Sequence, residues 1–345
     1  MNDFLISVVV PCYNEAENIP VLVKRLQDTL AAYSFEIILI NDGSTDTTQQ
    51  ELELASTLDS RISYLSFSRN FGHQAALKAG IDHAQGDCIV TLDADMQKPP
   101  EIIPEMIALW QKGNEIVTAI SKNEGQPGRF KRWTSAGYYR GLSWLAEYPI
   151  VAHGADFRLF DRKVANVIRE LSGQNLYLRG VFSWAGYTQA SVYYREEKRL
   201  AGRTKYSLGK MLNLASNGIT SLSIKPLRMA LALGIGFAFL AFGYGIYAIS
   251  IVFLGMTVPG WASLVASIVF LSSIQLIVLG VIGEYIGKIY REVSQRPAYL
   301  ISKTNLVLTP RDQQLNKSHS HPNGKEESHD VAKTLFDTSN RMIKT

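Results

Sequence analysis

The chain has 345 residues, of which 46% are hydrophobic, and a formal net charge of +4. This length is sufficient for two domains, or for one domain with a membrane segment. The net charge is too small to indicate nucleic acid as a partner, and no nucleic-acid binding is expected. The two cysteines, Cys12 and Cys88, lie in or beside apolar segments, so the sequence does not indicate a disulfide scaffold.

The N-terminal third of the chain alternates between predicted strands and predicted helices. The strands are apolar runs that end at turn residues, and the helices have apolar residues three or four positions apart. The predicted strands are 4–10, 35–40, 62–67, 88–92 and 115–120, and the predicted helices are 19–30, 47–58, 74–84 and 102–112. This alternation predicts an α/β fold with a mostly parallel sheet covered on both faces.

The pattern is less regular from residue 121 to residue 205. A loop rich in Gly, Pro, Lys and Arg is followed by an aromatic-rich helical stretch. The later predicted elements are a helix over 162–171, a strand over 190–194 and a basic turn over 195–205. Residues 1–205 are predicted to form one nucleotide-binding domain.

Two apolar stretches, 229–254 and 262–284, are separated by a short uncharged loop with Pro259 and Gly260. Each stretch is long enough to cross a bilayer, which favours a transmembrane hairpin over 227–288 rather than a buried core hairpin. Positive residues flank both outer ends of the hairpin, namely Lys225, Arg228, Lys288, Arg291 and Arg296. This distribution predicts a multi-pass protein of the inner (plasma) membrane, with the catalytic domain and both termini in the cytoplasm.

The segments on either side of the hairpin have different compositions. Residues 206–226 mix apolar and polar residues and could form an amphipathic helix, either at the membrane interface or packed on the sheet. Their position next to the hairpin favours the interface. Residues 289–345 are predicted to be a cytoplasmic tail that is disordered from about residue 309.

Two aspartates, Asp93 and Asp95, directly follow the predicted strand 88–92. Open α/β folds bind ligands at the carboxyl edge of the sheet, where these carboxylates would lie. Two carboxylates that converge there repel each other unless a cation lies between them, and a hydrated divalent ion that also contacts phosphates suits this position. The alternative is a simple helix N-cap, because aspartate is favoured at such caps.

The turn after the first predicted strand argues against a dinucleotide or P-loop site. A dinucleotide site would need Gly-x-Gly-x-x-Gly at this turn, but the sequence has Pro11-Cys12-Tyr13-Asn14-Glu15 and no Walker lysine loop. A metal on Asp93 and Asp95 would hold a diphosphate instead. Asp42 ends the second predicted strand, where an acid commonly meets ribose hydroxyls. Tyr13 offers a ring for a base, although Asp42 and Tyr13 could also be only turn and packing residues.

Three motifs together resemble those of a known family. They are Val8-Val9-Val10-Pro11-Cys12-Tyr13-Asn14-Glu15, Asn41-Asp42-Gly43-Ser44-Thr45-Asp46, and Asp93-Ala94-Asp95-Met96-Gln97 with Pro99-Pro100-Glu101. The chain is similar to family 2 glycosyltransferases of the GT-A fold, and more narrowly to the polyprenyl-phosphate glycosyltransferases. Ser68-Arg69-Asn70-Phe71-Gly72, segment 154–159 and the two-span C-terminus favour the bactoprenol glucosyltransferase branch over dolichol-phosphate mannose synthases. The resemblance covers about residues 6–300.

The resemblance implies a role for individual residues of the donor site. The residues expected to bind the nucleotide are Pro11, Tyr13, Glu15, Asp42 and Asp93. The residues expected to hold Mg²⁺ or Mn²⁺ on the diphosphate are Asp93, Asp95 and Gln97. Asp95 and Asp156 are assigned to catalysis, and Asp156 corresponds to the proposed general base of the family. Because a phosphate monoester with a second pKa of about 6 is already mostly dianionic at neutral pH, Asp156 could equally orient a cation or the sugar.

Basic residues are expected to meet the phosphates and the acceptor. The family's basic element before the membrane is matched by Arg199, Gly202, Thr204 and Lys205, and Arg199, Thr204 and Lys205 are assigned to phosphate binding. A basic turn that only attracts anionic headgroups is the alternative. Arg203 departs from the uncharged residue expected within this element. Arg129, Lys131 and Arg132 are assigned to the acceptor headgroup.

The resemblance implies a membrane-bound, inverting glycosyltransferase that moves a sugar from a nucleotide sugar to polyprenyl (undecaprenyl) phosphate. The expected donor is UDP-glucose, and the expected role is cell-envelope or O-antigen glycan modification. The expected partners are membrane lipid, further copies of the chain in a homo-oligomer such as a tetramer, and a flippase. A GDP-mannose-dependent mannosyltransferase and a non-enzymatic, membrane-anchored nucleotide-binding subunit are the alternatives. The presence of both metal acids favours catalysis.

Overall fold

The computed structural model describes residues 4–122, 154–171, 178–195, 197, 224–254, 260–294 and 296–307. The catalytic part begins with β1 (Leu5–Cys12), α1 (Ile19–Thr29), β2 (Ser34–Asn41), α2 (Thr48–Leu58), β3 (Ile62–Phe67), α3 (His73–His83) and β4 (Cys88–Thr91). It continues with a 3₁₀ turn (Pro100–Ile102), α4 (Ile103–Gln111), β5 (Ile116–Ser121), β6 (Gly154–Asp161), α5 (Arg162–Glu170), α6 (Leu178–Trp184) and β7 (Gln189–Tyr194). The remaining elements are α7 (Lys225–Phe253), α8 (Trp261–Val293) and β8 (Ile301–Thr304).

The described strands form one sheet in the order β7-β5-β6-β4-β1-β2-β3-β8. The pairs β1/β2, β1/β4, β2/β3 and β5/β7 are parallel, while β6 is antiparallel to both of its neighbours and β8 is antiparallel to β3. The predicted α/β architecture with a mostly parallel sheet is confirmed. The alternation of strands and helices in the sequence did not indicate the two antiparallel strands, β6 and β8.

The central strand β1 contributes to the core on both faces of the sheet. Val8 and Val10 pack into one buried cluster with residues of α1 and α4, and Val9 packs into a second cluster with residues of α3 and α5. This division follows from the period of two in a strand, which sends successive side chains to opposite faces. The carboxyl ends of β1, β2 and β4 therefore lie at one edge between the two helical layers.

The two long helices α7 and α8 contain the predicted membrane spans. The segments Leu227–Tyr247 and Phe270–Val293 are long and apolar enough to cross a bilayer, and only 6% and 0% of their apolar windows are buried. Such exposure distinguishes them from the core helices of a soluble domain, because large apolar surfaces of this kind are normally covered. Association with a membrane follows from this exposure.

After α8 the chain returns to the sheet, where Ile301–Thr304 forms β8 and pairs with β3. The sequence pattern predicts no strand here, since three of the four residues are polar. Several predicted segments lie outside the described residues: most of the loop 121–133, the aromatic-rich stretch, residues 206–223 of the predicted interfacial helix, and the tail beyond residue 307.

Candidate active site

The loops that follow β1 and β2 are bonded into one unit. The Asp42 N–H donates to the Cys12 carbonyl (2.9 Å), and the Asn14 N–H donates to Ser44 Oγ (3.0 Å). The Thr45 N–H donates to Asn14 Oδ1 (2.8 Å). Asn14 has a left-handed backbone with φ of 55°, a conformation that asparagine tolerates better than most residues. The first two sequence motifs are thus two halves of a single surface.

The predicted nucleoside residues of the first motif differ in their surroundings. Pro11 is buried at the end of β1, whereas Tyr13 is 37% exposed and presents its ring at the sheet edge. Glu15 Oε2 accepts a hydrogen bond from Asn18 Nδ2 (2.6 Å), and the Glu15 N–H donates to Thr48 Oγ1 (3.0 Å). Tyr13 is therefore the more accessible of these side chains, while Glu15 stabilises the loop.

Asp42 is buried at the end of β2 and holds the loop that precedes α3. Its carboxylate accepts hydrogen bonds from the N–H groups of Phe71 (2.7 Å) and Gly72 (3.0 Å). Burial raises the pKa of Asp42, and these two N–H groups only partly offset that effect. Gly43 has φ of +66°, and a Cβ there would lie 2.5 Å from the backbone of Arg69. The loop 68–72 therefore packs directly on Asp42 and Gly43.

The residues of the Asp-x-Asp motif lie in one tight loop after β4. Asp93 Oδ2 accepts a hydrogen bond from Lys98 Nζ, and Asp95 Oδ1 accepts a long one from the Gln97 N–H (3.2 Å). Met96, between them, is fully buried and has a left-handed φ of 62°. Such backbone strain persists where the surrounding structure enforces it, and it is common at ligand sites. The loop presents Asp93, Asp95 and Gln97 together.

Asp156 reaches the same edge from the antiparallel strand β6. Thr91 pairs with Arg158, and Thr91 Oγ1 donates to the Asp156 carbonyl (2.6 Å). Continuing this register by two residues places Asp93 opposite Asp156. The Asp156 side chain is 8% exposed. The antiparallel pairing of β6 thus explains how two acids so distant in sequence come to face each other.

His73 lies between these two acids and was not among the residues predicted from sequence. Its Nε2 lies 3.5 Å from Asp93 Oδ1 and 3.3 Å from Asp156 Oδ2. Burial lowers the pKa of His73, but the hydrogen bond and charge of Asp156 and the charge of Asp93 outweigh it and raise the pKa. The only sequence signal for His73 is its position directly after Asn70-Phe71-Gly72 at the start of α3.

Lys98 is a second basic residue of the site that was not among those predicted from the sequence. Burial raises the pKa of Asp93, yet the charges of Lys98 and His73 outweigh burial and the net shift is downward. Asp93 is therefore held in its ionised form. The sequence signal for Lys98 is its position directly after Gln97. The acidic motif itself does not indicate a role for a lysine at this position.

The donor set of this loop fits a hard divalent cation. Asp93 Oδ1 is buried and accepts no hydrogen bond within the part of the chain that the structure describes. The described ranges contain no ready-made group of three or more His, Cys, Asp or Glu ligands. Mg²⁺ in particular keeps several waters and binds through one or two carboxylates together with substrate phosphates. Asp93 and Asp95 fit that partial coordination.

Arg25 on α1 joins Glu101, which follows the Asp-x-Asp loop, to Glu197 at the start of the basic turn. Its guanidinium donates to both carboxylate oxygens of Glu101 (2.7 and 2.6 Å) and of Glu197 (2.9 and 3.0 Å). The Glu197 N–H donates to the Gln97 carbonyl (3.0 Å). The predicted phosphate and headgroup residues lie outside the described residues: Arg199, Thr204, Lys205, Arg129, Lys131 and Arg132.

The fold and the site together define a class of protein: an α/β domain with an acidic ligand site at its sheet edge, attached to a pair of membrane-type helices. Comparison with known proteins gives the family. The model described as "Glycosyl transferase family 2" matches residues 7–173, and the model described as "GtrB C-terminal hairpin" matches residues 225–289.

Full-length relatives extend these matches to most of the chain. The uncharacterized glycosyltransferase YkcC of Bacillus subtilis is 43% identical over 301 residues, which cover 86% of this chain and 93% of YkcC. The SfII prophage-derived bactoprenol glucosyl transferase of Shigella flexneri is 42% identical over 304 residues, which cover 87% of this chain and 98% of that protein. The chain belongs to glycosyltransferase family 2, carries the GtrB-type C-terminal hairpin, and is a glycosyltransferase.

A solved structure with a similar arrangement is glucosyl-3-phosphoglycerate synthase from Mycobacterium tuberculosis in complex with Mn²⁺, UDP and phosphoglyceric acid. It has a TM-score of 0.47 and 18% sequence identity, and the match covers 63% of this chain and 77% of that one.

Proposed function

We propose that this chain transfers glucose from UDP-glucose to a polyprenyl phosphate, such as undecaprenyl phosphate, with inversion at the anomeric carbon. The observation that carries the proposal is the meeting of Asp93 and Asp156 at one sheet edge, in a chain that also has a membrane hairpin. The 42% identity to a bactoprenol glucosyl transferase across 98% of that protein supports glucose as the transferred sugar and a polyprenyl lipid as the acceptor.

The donor is held by the loops after β1, β2 and β4. In this proposal Pro11, Tyr13, Glu15 and Asp42 surround the nucleoside, with the exposed Tyr13 ring beside the base. Asp93, Asp95 and Gln97 hold Mg²⁺ or Mn²⁺ against the diphosphate. When bound, the ion stabilises the negative charge on the departing diphosphate.

An oxygen of the lipid phosphate attacks the anomeric carbon from the face opposite the diphosphate. The new bond joins this carbon to the phosphate oxygen, the bond to the diphosphate breaks, and the configuration inverts. Asp156 is assigned as an orienter rather than a general base, because its carboxylate already faces His73 Nε2 at 3.3 Å. The phosphate nucleophile, with a second pKa of about 6, needs little proton removal at neutral pH.

The acceptor side and the cellular setting complete the proposal. Arg199, Thr204 and Lys205 contact phosphates, and Arg129, Lys131 and Arg132 contact the acceptor headgroup. The catalytic domain and both termini lie on the cytoplasmic side of the plasma membrane, and the hairpins associate into a homo-oligomer such as a tetramer. The product is made on the cytoplasmic side, so a flippase must carry it across before it modifies an envelope or O-antigen glycan.

The test is a donor panel with the purified full chain in nanodiscs that contain undecaprenyl phosphate and Mn²⁺. Labelled UDP-glucose, UDP-N-acetylglucosamine and GDP-mannose are supplied separately, and label is measured in the lipid extract. Transfer from UDP-glucose is expected. Transfer from GDP-mannose alone would support the mannosyltransferase alternative, and nucleotide binding without transfer from any donor would support the non-enzymatic one.

A further inference from the structure

The chain that follows the second membrane helix is packed against the donor side of the catalytic domain. We call residues 298–304 the return segment. β8 within it pairs with β3, the Ser68 N–H donates to the Leu300 carbonyl (3.0 Å), and Ser302 Oγ donates to the Ser66 carbonyl (3.0 Å). The return segment therefore contacts both the end of β3 and the first residue of the loop 68–72.

Tyr299 makes the main side-chain contact of the return segment with this region. Its ring is 9% exposed and stacks on Phe67, with ring centroids 5.3 Å apart and an interplanar angle of 12°. Phe67 in turn meets the ring of Phe71 edge-on, at 5.7 Å and 87°. The Tyr299 hydroxyl donates to Asp82 Oδ2 on α3 (3.0 Å). Aromatic pairs in these geometries stabilise packing beyond the area they bury.

This aromatic row ends at the candidate site. Phe71 and the adjacent Gly72 are the residues whose N–H groups hold the buried Asp42 carboxylate. The next residue is His73, which faces Asp93 and Asp156. A displacement of Phe71 would therefore move both the Asp42 contacts and His73, which lies between the two acids.

We propose that Tyr299 is a positioning residue for the donor site, and that the docked return segment holds the loop 68–72 in the conformation that Asp42 and His73 require. In this proposal the return segment, which follows the second membrane helix, stabilises the nucleotide site. The alternative is that the return segment only covers the edge of β3, which edge strands generally require. The measurement of UDP affinity described below rests on the proposed function, whereas the measurement of amide hydrogen exchange does not.

The first measurement is amide hydrogen exchange on the full chain in nanodiscs without nucleotide. Tyr299→Leu removes the ring, Tyr299→Phe keeps the ring and removes the hydroxyl, and Tyr299→His serves as a milder second variant. Thr304→Val is the matched control, because Thr304 Oγ1 donates to the Tyr64 carbonyl (2.6 Å) at the other end of β8. The second measurement is the affinity for UDP with Mn²⁺.

Tyr299→Leu is expected to speed exchange at Phe71 and Gly72 by about tenfold or more, since these amides lose the packing that keeps them closed. Tyr299→His should give a smaller acceleration, while Tyr299→Phe and Thr304→Val should stay close to wild type. UDP affinity should fall in the same order. Equal acceleration in Thr304→Val, or none in Tyr299→Leu and Tyr299→His, would overturn the proposal. If the wild type bound no UDP, the proposed donor would fail, but the exchange result would still decide the role of Tyr299.

Discussion

His73 Nε2 lies within 3.5 Å of a carboxylate oxygen of Asp93, in the loop after β4, and of Asp156, on the neighbouring antiparallel strand β6. Two carboxylates that face each other at a buried edge repel unless cations neutralise them. Lys98, and His73 when it is protonated, supply that neutralisation within the protein itself. His73 thus contacts both Asp93, the acid assigned to the donor metal, and Asp156, the acid assigned to catalysis, so a change at one acid should affect the other.

Replacement of His73 should separate catalysis from metal binding. His73→Gln removes the cation that holds Asp156 in place, so transfer should fall by about 10–100-fold, a typical consequence of misplacing a positioning group. The Mn²⁺ concentration for half-maximal activity should not rise, because a positive charge near the metal acids has been removed. His73→Lys keeps a cation and should retain most of the activity. A variant that lost metal affinity and transfer together would contradict this role.

The pH dependence of Asp156→Asn distinguishes an orienter from a general base. If Asp156 only orients, the variant should keep measurable turnover at neutral pH and lose it as the pH falls through about 6, where the acceptor phosphate dianion takes up a proton and becomes a monoanion. The measurement is the initial rate of transfer between pH 5 and pH 8. An obligatory base would instead give a variant with no turnover at any of these pH values.

Gly43 and Gly113 form a matched pair that tests the contact between Asp42 and the loop 68–72. Both have positive φ, but a Cβ on Gly43 would collide with Arg69, whereas Gly113 faces open space. Gly113→Ala should cost about 1 kcal/mol of unfolding free energy from backbone strain alone, without affecting UDP affinity. Gly43→Ala should also lower UDP affinity by about tenfold, because one displaced loop misplaces the site. Equal UDP affinity in the two variants would show that the contact has no bearing on the donor.

The two-carboxylate contact of Arg25 should matter through its geometry rather than its charge. Lysine cannot reproduce a guanidinium fork on Glu101 and Glu197, so Arg25→Lys and Arg25→Gln should both reduce transfer several-fold by loosening the Glu197 contact with the Gln97 loop. Lys24→Gln is the control, since Lys24 makes only an exposed ion pair with Asp28, and such pairs contribute little. Full activity in Arg25→Lys would contradict the geometric role.

The sequence predicted the local elements well, because hydrophobic periodicity is a local property of the chain. Helix α1 and strands β1 to β5 fall within one or two residues of their predicted bounds. The pairing partners of β6 and β8 could not be read in this way, since they depend on residues far apart in sequence. β8 has only one large apolar residue, Ile301, and so gives no strand pattern.

The residues of the candidate site also divide into those that local sequence predicts and those that depend on contacts between distant segments. The acids Asp42, Asp93 and Asp95 follow strands that could be recognised, so their common edge was predictable. The placement of Asp156 opposite Asp93 required the antiparallel register of β6. His73 and Lys98 were missed because their importance lies in the carboxylates they neutralise, which only the folded structure brings into contact.

We propose that a divalent ion on Asp93 and Asp95 holds the donor diphosphate during transfer to the lipid. The most direct test measures label transfer from UDP-glucose to undecaprenyl phosphate in nanodiscs, with EDTA and then with excess Mn²⁺, in wild type, Asp93→Asn and the surface control Asp28→Asn. We expect EDTA to abolish transfer and Mn²⁺ to restore it in wild type and Asp28→Asn but not in Asp93→Asn. Transfer that persisted with EDTA, or at wild-type rate in Asp93→Asn, would contradict the account.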